Sequence, residues 1–244
     1  MENSERIKYL EEKAKNLRKK TLDFALETGV HHLGGALSSI EILITLYDII
    51  LKEEDKFILS KGHSCNPFYI LLREKGYNPK ISDHLDLDEK NGIYATTGSL
   101  GHGLPMAVGM ALARKKQNKK GKIYVLLGDG ECQEGTTWES SLIASHHRLD
   151  NLITIVDKNN MQALGNTEEI LSLGNLKNKF KSFGWDVSEI KGHSFQELIP
   201  ALEKKSNRPR IIIAHTIKGK GISYMENKPV WHGRRVTPER VETA

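Results

Sequence analysis

Two polar clusters stand at the ends of neighbouring apolar runs. Gly128-Asp129-Gly130 follows Ile123-Tyr124-Val125-Leu126-Leu127, and Asn159-Asn160 comes just after Leu152 to Val156. Short apolar runs bounded by such punctuation read as buried strands. Ligands of open α/β sheets gather at the carboxyl ends of strands, so both clusters are expected at one binding edge. Asp129 offers a carboxylate oxygen and Asn159 an amide oxygen. Magnesium takes few hard protein oxygens of this kind and completes its octahedron with water or phosphate. Gly128 and Gly130 let the backbone approach a diphosphate, and the helix expected after them points free N–H groups at an anion. A strand-to-helix turn that merely needs glycine explains Gly-Asp-Gly equally well when taken alone. The asparagine pair at matching register favours the metal and phosphate reading. Other phosphate patterns fail: Gly-x-x-x-x-Gly-Lys-Ser/Thr does not occur, and Gln133 stands where a dinucleotide fingerprint needs glycine.

The second resource is imidazole, present in ten histidines. Imidazole titrates near neutrality and can shuttle hydroxyl protons as bonds break and form. His31-His32-Leu33-Gly34-Gly35-Ala36-Leu37-Ser38 joins imidazole to a glycine pair before a helix, and His63 closes Leu59-Ser60-Lys61-Gly62-His63. His84 lies in Ser82-Asp83-His84, His102 in Thr96-Thr97-Gly98-Ser99-Leu100-Gly101-His102-Gly103, and His232 in Trp231-His232-Gly233. His146-His147 read as cations at a helix end, and His193 and His215 as structural or outer-layer groups.

These groups need elements to hold them. Ile7, Leu10, Ala14, Leu17, Thr21 and Phe24 recur at three- and four-residue steps, an amphipathic helix of about 25 residues ending near Gly29. A second helix is expected from an N-cap at Ser38 or Ser39 to about Leu51. Phe57 to Leu59 reads as a strand, Asn66 to Lys75 as a helix closed by Gly76, and Pro79 to Gly98 as a long functional loop. A helix over Leu104 to Lys116 precedes the Ile123 strand, and another runs from Gly-Asp-Gly to about His147. Asn159 to Gly174 is a loop. Then come a short helix over Leu176 to Phe183, a strand from Trp185 to Val187, a helix over Phe195 to Lys204 and a strand over Arg210 to Ala214. Lys218 to Ala244 reads as a loop over a site. Near-continuous apolar strands alternating with helices predict an α/β fold, a mainly parallel sheet with helices on both faces.

The 244 residues suit one domain over 1–244, with 38% hydrophobic and 27% charged residues. No apolar stretch reaches the roughly 20 residues of a membrane span. The N-terminus has no signal-peptide core, so a cytoplasmic location is expected. Cys65 and Cys132 show no zinc spacing and read as reduced thiols. Net charge is +5. The densest basic run, Arg114 to Lys122, falls where a helix ends, and a solvated helix terminus accounts for it. No recognised nucleic-acid motif accompanies it.

The Gly-Asp-Gly and Asn-Asn pair resembles the thiamine diphosphate signature of transketolases, deoxyxylulose phosphate synthases and related enzymes. The His32 segment is similar to the Gly-His-x-Gly-Gly/Ala segment of transketolases, with His31 in place of the usual glycine. Leu59 to His63 resembles Leu-Ser-x-Gly-His. Thr96 to Gly103 resembles the Thr-Thr-Gly-x-Leu-Gly-x-Gly border of the cofactor, with His102 as in split transketolases. His84 matches a loop histidine usually followed by proline, where Leu85 stands here. Trp231-His232-Gly233 matches the late histidine. The resemblance runs from about Leu10 to Pro238.

The resemblance implies a thiamine diphosphate-binding fold and a ligand set for magnesium or calcium of Asp129, Asn159 and the Met161 carbonyl. It implies cofactor contacts from His63, Gly98, Ser99, Leu100, Gly128, Asp129, Gly130, Glu134, Asn159 and His232. It assigns catalytic work to His32, His63, His84 and His232, and to Glu134 a relay to a partner's glutamate. A first-turn acid favoured by the helix dipole explains Glu134 as well. The implied activity is transfer of a two-carbon ketol unit from a ketose phosphate to an aldose phosphate. The implied partner is a C-terminal subunit carrying the pyrimidine-binding domain, in a two-plus-two heterotetramer with self-association of this chain. A non-catalytic cofactor-binding subunit, a deoxyxylulose phosphate synthase-like enzyme and a basic nucleic-acid-binding protein are the alternatives.

Overall fold

A computed structural model describes residues 3–241. Met1, Glu2 and residues 242–244 lie outside the described residues, so the extremities of the expected domain and of the Lys218 to Ala244 loop do too. The chain opens with α1 (Asn3–Thr28), α2 (Leu33–Ser38) and α3 (Ile40–Thr45), the last continued by a π turn over Leu46–Ile50. β1 (Lys56–Leu59) and α4 (Asn66–Glu74) follow, then the long loop, α5 (Gly103–Lys116) and β2 (Ile123–Gly128). α6 (Gly135–His146), β3 (Leu152–Lys158), α7 (Thr167–Ile170) and α8 (Leu176–Ser182) come next. β4 (Asp186–Lys191), α9 (Phe195–Glu203), β5 (Arg210–His215) and α10 (Pro238–Val241) complete the order.

The strands form one sheet in the order β1-β2-β3-β5-β4. Every pairing is parallel. Side chains alternate across it. Tyr124, Leu126, Ile153, Ile155 and Ile212 pack in one core with α1, α3, α4 and α9 residues. Ile123, Val125, Leu127, Leu152, Val156, Ile211 and Ile213 pack in a second core with α5, α6 and α8 residues. Both faces are covered, which is why β2, β3 and β5 are largely apolar, while the edge strand β4 carries Asp186, Ser188, Glu189 and Lys191. Burying strands on two sides leaves only their ends accessible, and the chemistry sits at the carboxyl ends. Among the described residues no helix is long and apolar enough to cross a membrane.

Several boundaries differ from the sequence expectation. The helix expected from Ser38 or Ser39 to about Leu51 is α3 with its π turn, Ser39 standing at its N-cap position, but a further short helix, α2, precedes it, entered from His32 in the left-handed region at φ 66. Both serine hydroxyls donate backward to the Gly35 carbonyl, so neither is free to cap a following turn. A 3-10 turn, Gly130–Gln133, separates Gly-Asp-Gly from α6. The Asn159 to Gly174 loop contains α7, capped by Asn166, whose side chain accepts from the Glu168 N–H at 3.0 Å. The fourth strand starts at Asp186, one residue after Trp185, whose indole packs in the second core.

Candidate cofactor and substrate site

The register pairs Gly128 with Asp157, so Asp129 and Asn159 emerge from adjacent strand ends. Asp129 is buried. Its Oδ1 accepts from the Gly130 N–H at 2.8 Å and its Oδ2 from the Asn160 N–H at 2.5 Å. Asn160 adopts φ 60 to present that N–H. Asn159 donates from Nδ2 to Asp157 at 3.3 Å, which turns Oδ1 the other way, where it accepts from the Met161 N–H at 3.1 Å. The Met161 carbonyl lies 3.5 Å from Lys218 Nζ. Burial and the nearby Asp157 charge push the Asp129 carboxyl up to about 6. A buried carboxylate held beside another acid is a site that a cation would stabilise. The donor types are carboxylate, amide and peptide oxygens, the set that suits magnesium or calcium with phosphate completing the shell. No cluster of three or more His, Cys, Asp or Glu among the described residues could hold a metal unaided.

The histidines converge beside this point. The His32 ring centroid lies 5.6 Å from His63, 5.5 Å from His84 and 5.6 Å from His232. His63 and His232 are 4.9 Å apart. His31 stacks on His32 at 4.0 Å. Four separate segments thus deliver one imidazole group. Two glycines make the convergence possible. A Cβ on Gly35 would come within 2.7 Å of Ser64 Oγ and 3.4 Å of His63 Nε2. Gly98 holds φ +142, and a Cβ there would strike the His84 ring at 2.6 Å. Ser99 is exposed and Leu100 half-buried on the same loop. His102 is exposed, its Nδ1 3.1 Å from the Leu100 carbonyl. His232 Nδ1 is 3.1 Å from Lys218 Nζ, so one lysine joins the histidine cluster to the Met161 carbonyl.

Burial first, then neighbouring cations and imidazoles, depress these histidines. His32 is lowered to about 4 by burial, His31 and His84. His232 is lowered to about 3 by burial, Lys218 and His32. His63 falls well below its usual value through burial, Lys61 and His232. Lys218 is itself lowered to about 8 by burial and Lys61. Burial is the main cause and neighbouring cations add to it, so a bound anion beside these groups would raise them again. His84 stays exposed on its loop.

Two buried carboxylates that the sequence reading passed over hold the site together. Asp157 accepts from Lys61, Thr216, Ser38 at 2.6 Å and Asn159. Lys61 Nζ also donates to the Gly35 carbonyl at 2.9 Å. This hub ties α2, the turn after β1, the end of β3 and the segment after β5. Glu131 accepts from Ser60, from the Gly101 N–H at 3.0 Å and from the Gly128 N–H at 3.2 Å. It ties the Gly98 loop to the Gly-Asp-Gly turn. Lys61, Lys218, Asp157 and Glu131 were legible only as isolated charges; their adjacency to Ser-Lys-Gly-His, to Asn159 and to Gly-Asp-Gly was the available signal.

Glu134 is exposed at the N-terminus of α6, beside Gly101. His193 bridges Glu41, at 2.9 Å from Nδ1, and the Ile217 N–H, which donates to Nε2 at 2.9 Å. It anchors the approach to Lys218, an outer-layer position as expected. His215 Nε2 contacts Glu189 at 2.7 Å, and His146 lies in the last turn of α6.

Residues 11–244 match the family described as transketolase, thiamine diphosphate binding domain. The chain is 40% identical to a subunit of the apulose-4-phosphate transketolase of Actinobacillus succinogenes, over 96% of this chain and 94% of that protein. It is 39% identical to the 6-deoxy-6-sulfo-D-fructose transketolase subunit SqwG of a Clostridium species, with the same coverage. The crystal structure of Campylobacter jejuni transketolase superposes with a TM-score of 0.86 at 32% identity, over 97% of this chain and 42% of that one. The fold is thus the thiamine diphosphate-binding fold, and the chain belongs to the transketolase family, matching its N-terminal cofactor-binding domain.

Proposed function

We propose that this chain, one domain over 1–244, is the diphosphate-side subunit of a split transketolase. It moves a two-carbon ketol unit from a ketose phosphate to an aldose phosphate once a partner subunit is present. The observation that carries the reading is the Lys218 bridge: one buried ammonium touches both the Met161 carbonyl beside Asp129 and Asn159, and His232 of the imidazole cluster. That contact supports reading the Asp129 and Asn159 oxygens as the metal ligands and the imidazoles as the proton-handling groups of one site.

Asp129, Asn159 and the Met161 carbonyl would hold magnesium or calcium, with Gly128, Gly130, Gly98, Ser99 and Leu100 bordering the cofactor. Bound thiamine diphosphate supplies an electron sink for C–C cleavage. His63 and His232, beside Lys61 and Lys218, would orient the diphosphate and the substrate. His32 and His84 would move hydroxyl protons; a bound polyanion would raise the basicity of His32 toward neutrality, where proton transfer is most effective. Glu134, exposed at the N-terminus of α6, would relay to a glutamate of the partner.

The exposed face of α6 supports partner dependence. Beyond Glu134 on α6, Leu142 is 61% exposed and Ile143 46% exposed. Exposed apolar side chains on a helix that starts at the site suit a covered interface. The partner would carry the pyrimidine-binding domain, in a two-plus-two assembly in the cytoplasm. The names of two relatives specify ketoses with an anionic end group, which supports a phosphorylated or sulfonated donor. The deciding experiment titrates the partner subunit into a fixed amount of this chain and follows ketol transfer from a panel of ketose phosphates and sulfonates. Activity should rise to a stoichiometric plateau from none. Equal turnover by the chain alone sinks the split-enzyme reading, and pyruvate-dependent turnover by the pair would favour deoxyxylulose phosphate synthase chemistry instead.

A further inference from the structure

His32 has a weakness that its neighbour repairs. Its Nδ1 is buried and finds no hydrogen-bond partner. Its backbone sits at φ 66, a region that ordinary side chains rarely adopt. No polar contact to Nδ1 therefore fixes the imidazole, and its orientation rests largely on packing. Three of the surrounding rings lie 5.5 to 5.6 Å away and tilted or edge-on. His31 alone lies face to face, at 4.0 Å with an interplanar angle of 25°.

His31 is itself anchored. Asn66 Nδ2 donates to its carbonyl at 2.9 Å, and its Nδ1 lies 3.0 Å from Asp83 Oδ1, an ion-pair distance off the hydrogen-bond line. Asp83 precedes His84, whose ring also faces His32. Helix α2 starts immediately after His32, so the stacked pair sits at the junction between the α1 exit and the glycine-rich segment. A glycine at position 31 would leave that face of the His32 ring open.

We propose that His31, stacked on His32 and paired with Asp83, is a positioning residue that holds the His32 imidazole in its working orientation. The catalytic consequence rests on the proposed ketol transfer, but the positioning does not. A ring free to rotate places its nitrogen correctly only part of the time, so loss of the stack lowers turnover more than binding.

The test compares His31→Gly, His31→Asn, His31→Phe and Asp83→Asn, each purified alone and with the partner subunit. In the chain alone, proton NMR of the His32 ring reads the stack directly, because a ring at this distance shifts its neighbour's protons upfield. His31→Phe should keep that shift, and His31→Gly and His31→Asn should lose it. With the partner, His31→Gly and His31→Asn should lose tenfold or more in kcat with an acceptor KM changed less than threefold. His31→Phe should recover most of the rate, and Asp83→Asn should lose only a few-fold. Calorimetry should show unchanged thiamine diphosphate affinity throughout, which a general folding defect would not allow. An unchanged His32 spectrum in both ringless variants overturns the proposal whatever the rates are. Full turnover in those variants, or failure of His31→Phe to rescue it, overturns it as well. If the spectra change as expected while the wild-type pair transfers no ketol unit, the positioning stands and the proposed function falls.

Discussion

Replacing Lys61 with methionine isolates what the buried hub contributes. Lys61 and Asp157 are 2% and 0% exposed, so their pairing is unscreened by solvent. Methionine keeps most of the aliphatic stem and removes the ammonium. Asp157 then retains only neutral donors from Ser38, Thr216 and Asn159. The Gly35 carbonyl loses its donor too. Breaking a buried pair by deleting one partner costs about 3–5 kcal/mol, because the remaining charge stays desolvated. For a domain of this size each kcal/mol moves the midpoint by roughly 2–4 °C, so a fall of about 6–20 °C is expected. Burial pushes the Asp157 carboxyl up, but Lys61, Ser38 and Thr216 more than offset it and hold the group below its usual 3.8. A depressed acid stabilises the fold above its unfolded pKa, and that contribution disappears as pH falls through the folded value. Without Lys61 the offset is gone, so the penalty of Lys61→Met should shrink on acidification as Asp157 takes up a proton. Denaturant unfolding of wild type, Lys61→Met, Asp157→Asn and the double variant gives the coupling directly. The double variant should recover about half or more of the loss, since no charge is then left unpaired. A Lys61→Met penalty below about 1 kcal/mol, or a double variant no better than the single, would refute the hub argument.

Three further outcomes follow from the site. Asp129→Ala should abolish magnesium-dependent thiamine diphosphate binding by calorimetry without unfolding the chain, and wild-type binding should weaken below about pH 6, where burial and Asp157 leave Asp129 protonated. Gly35→Ala should cost about 1–3 kcal/mol by overpacking against Ser64, with Ser64→Ala restoring part of it in thermal melts. Burial raises the Glu41 carboxyl, but His193 and Arg18 outweigh it and hold it below 4.5. Its contribution is therefore present above the unfolded pKa and lost on acidification, and Glu41→Gln should flatten stability against pH below about 5.

Local pattern determined a good part of this protein. Apolar runs ending in Gly128-Asp129-Gly130 and before Asn159-Asn160 dictated two strands and the carboxyl-end location of the polar groups, because strand burial and turn chemistry are both short-range. The β2–β3 register, with Gly128 opposite Asp157, then placed Asp129 beside Asn159 as expected. The helix start at Leu33 was illegible, because left-handed histidine is a poor cap by preference and only packing around His32 stabilises it. The insertion of β5 between β3 and β4 was equally hidden, since strand order in a parallel sheet is set by crossovers that local pattern does not encode. The meeting of His31, His32, His63, His84 and His232 belongs to the tertiary structure alone. So does the burial of Lys61 against Asp157, a contact across 96 residues. A lysine in a sequence carries the expectation of solvent; only a fold that supplies a carboxylate and a carbonyl at the right place makes its burial tolerable.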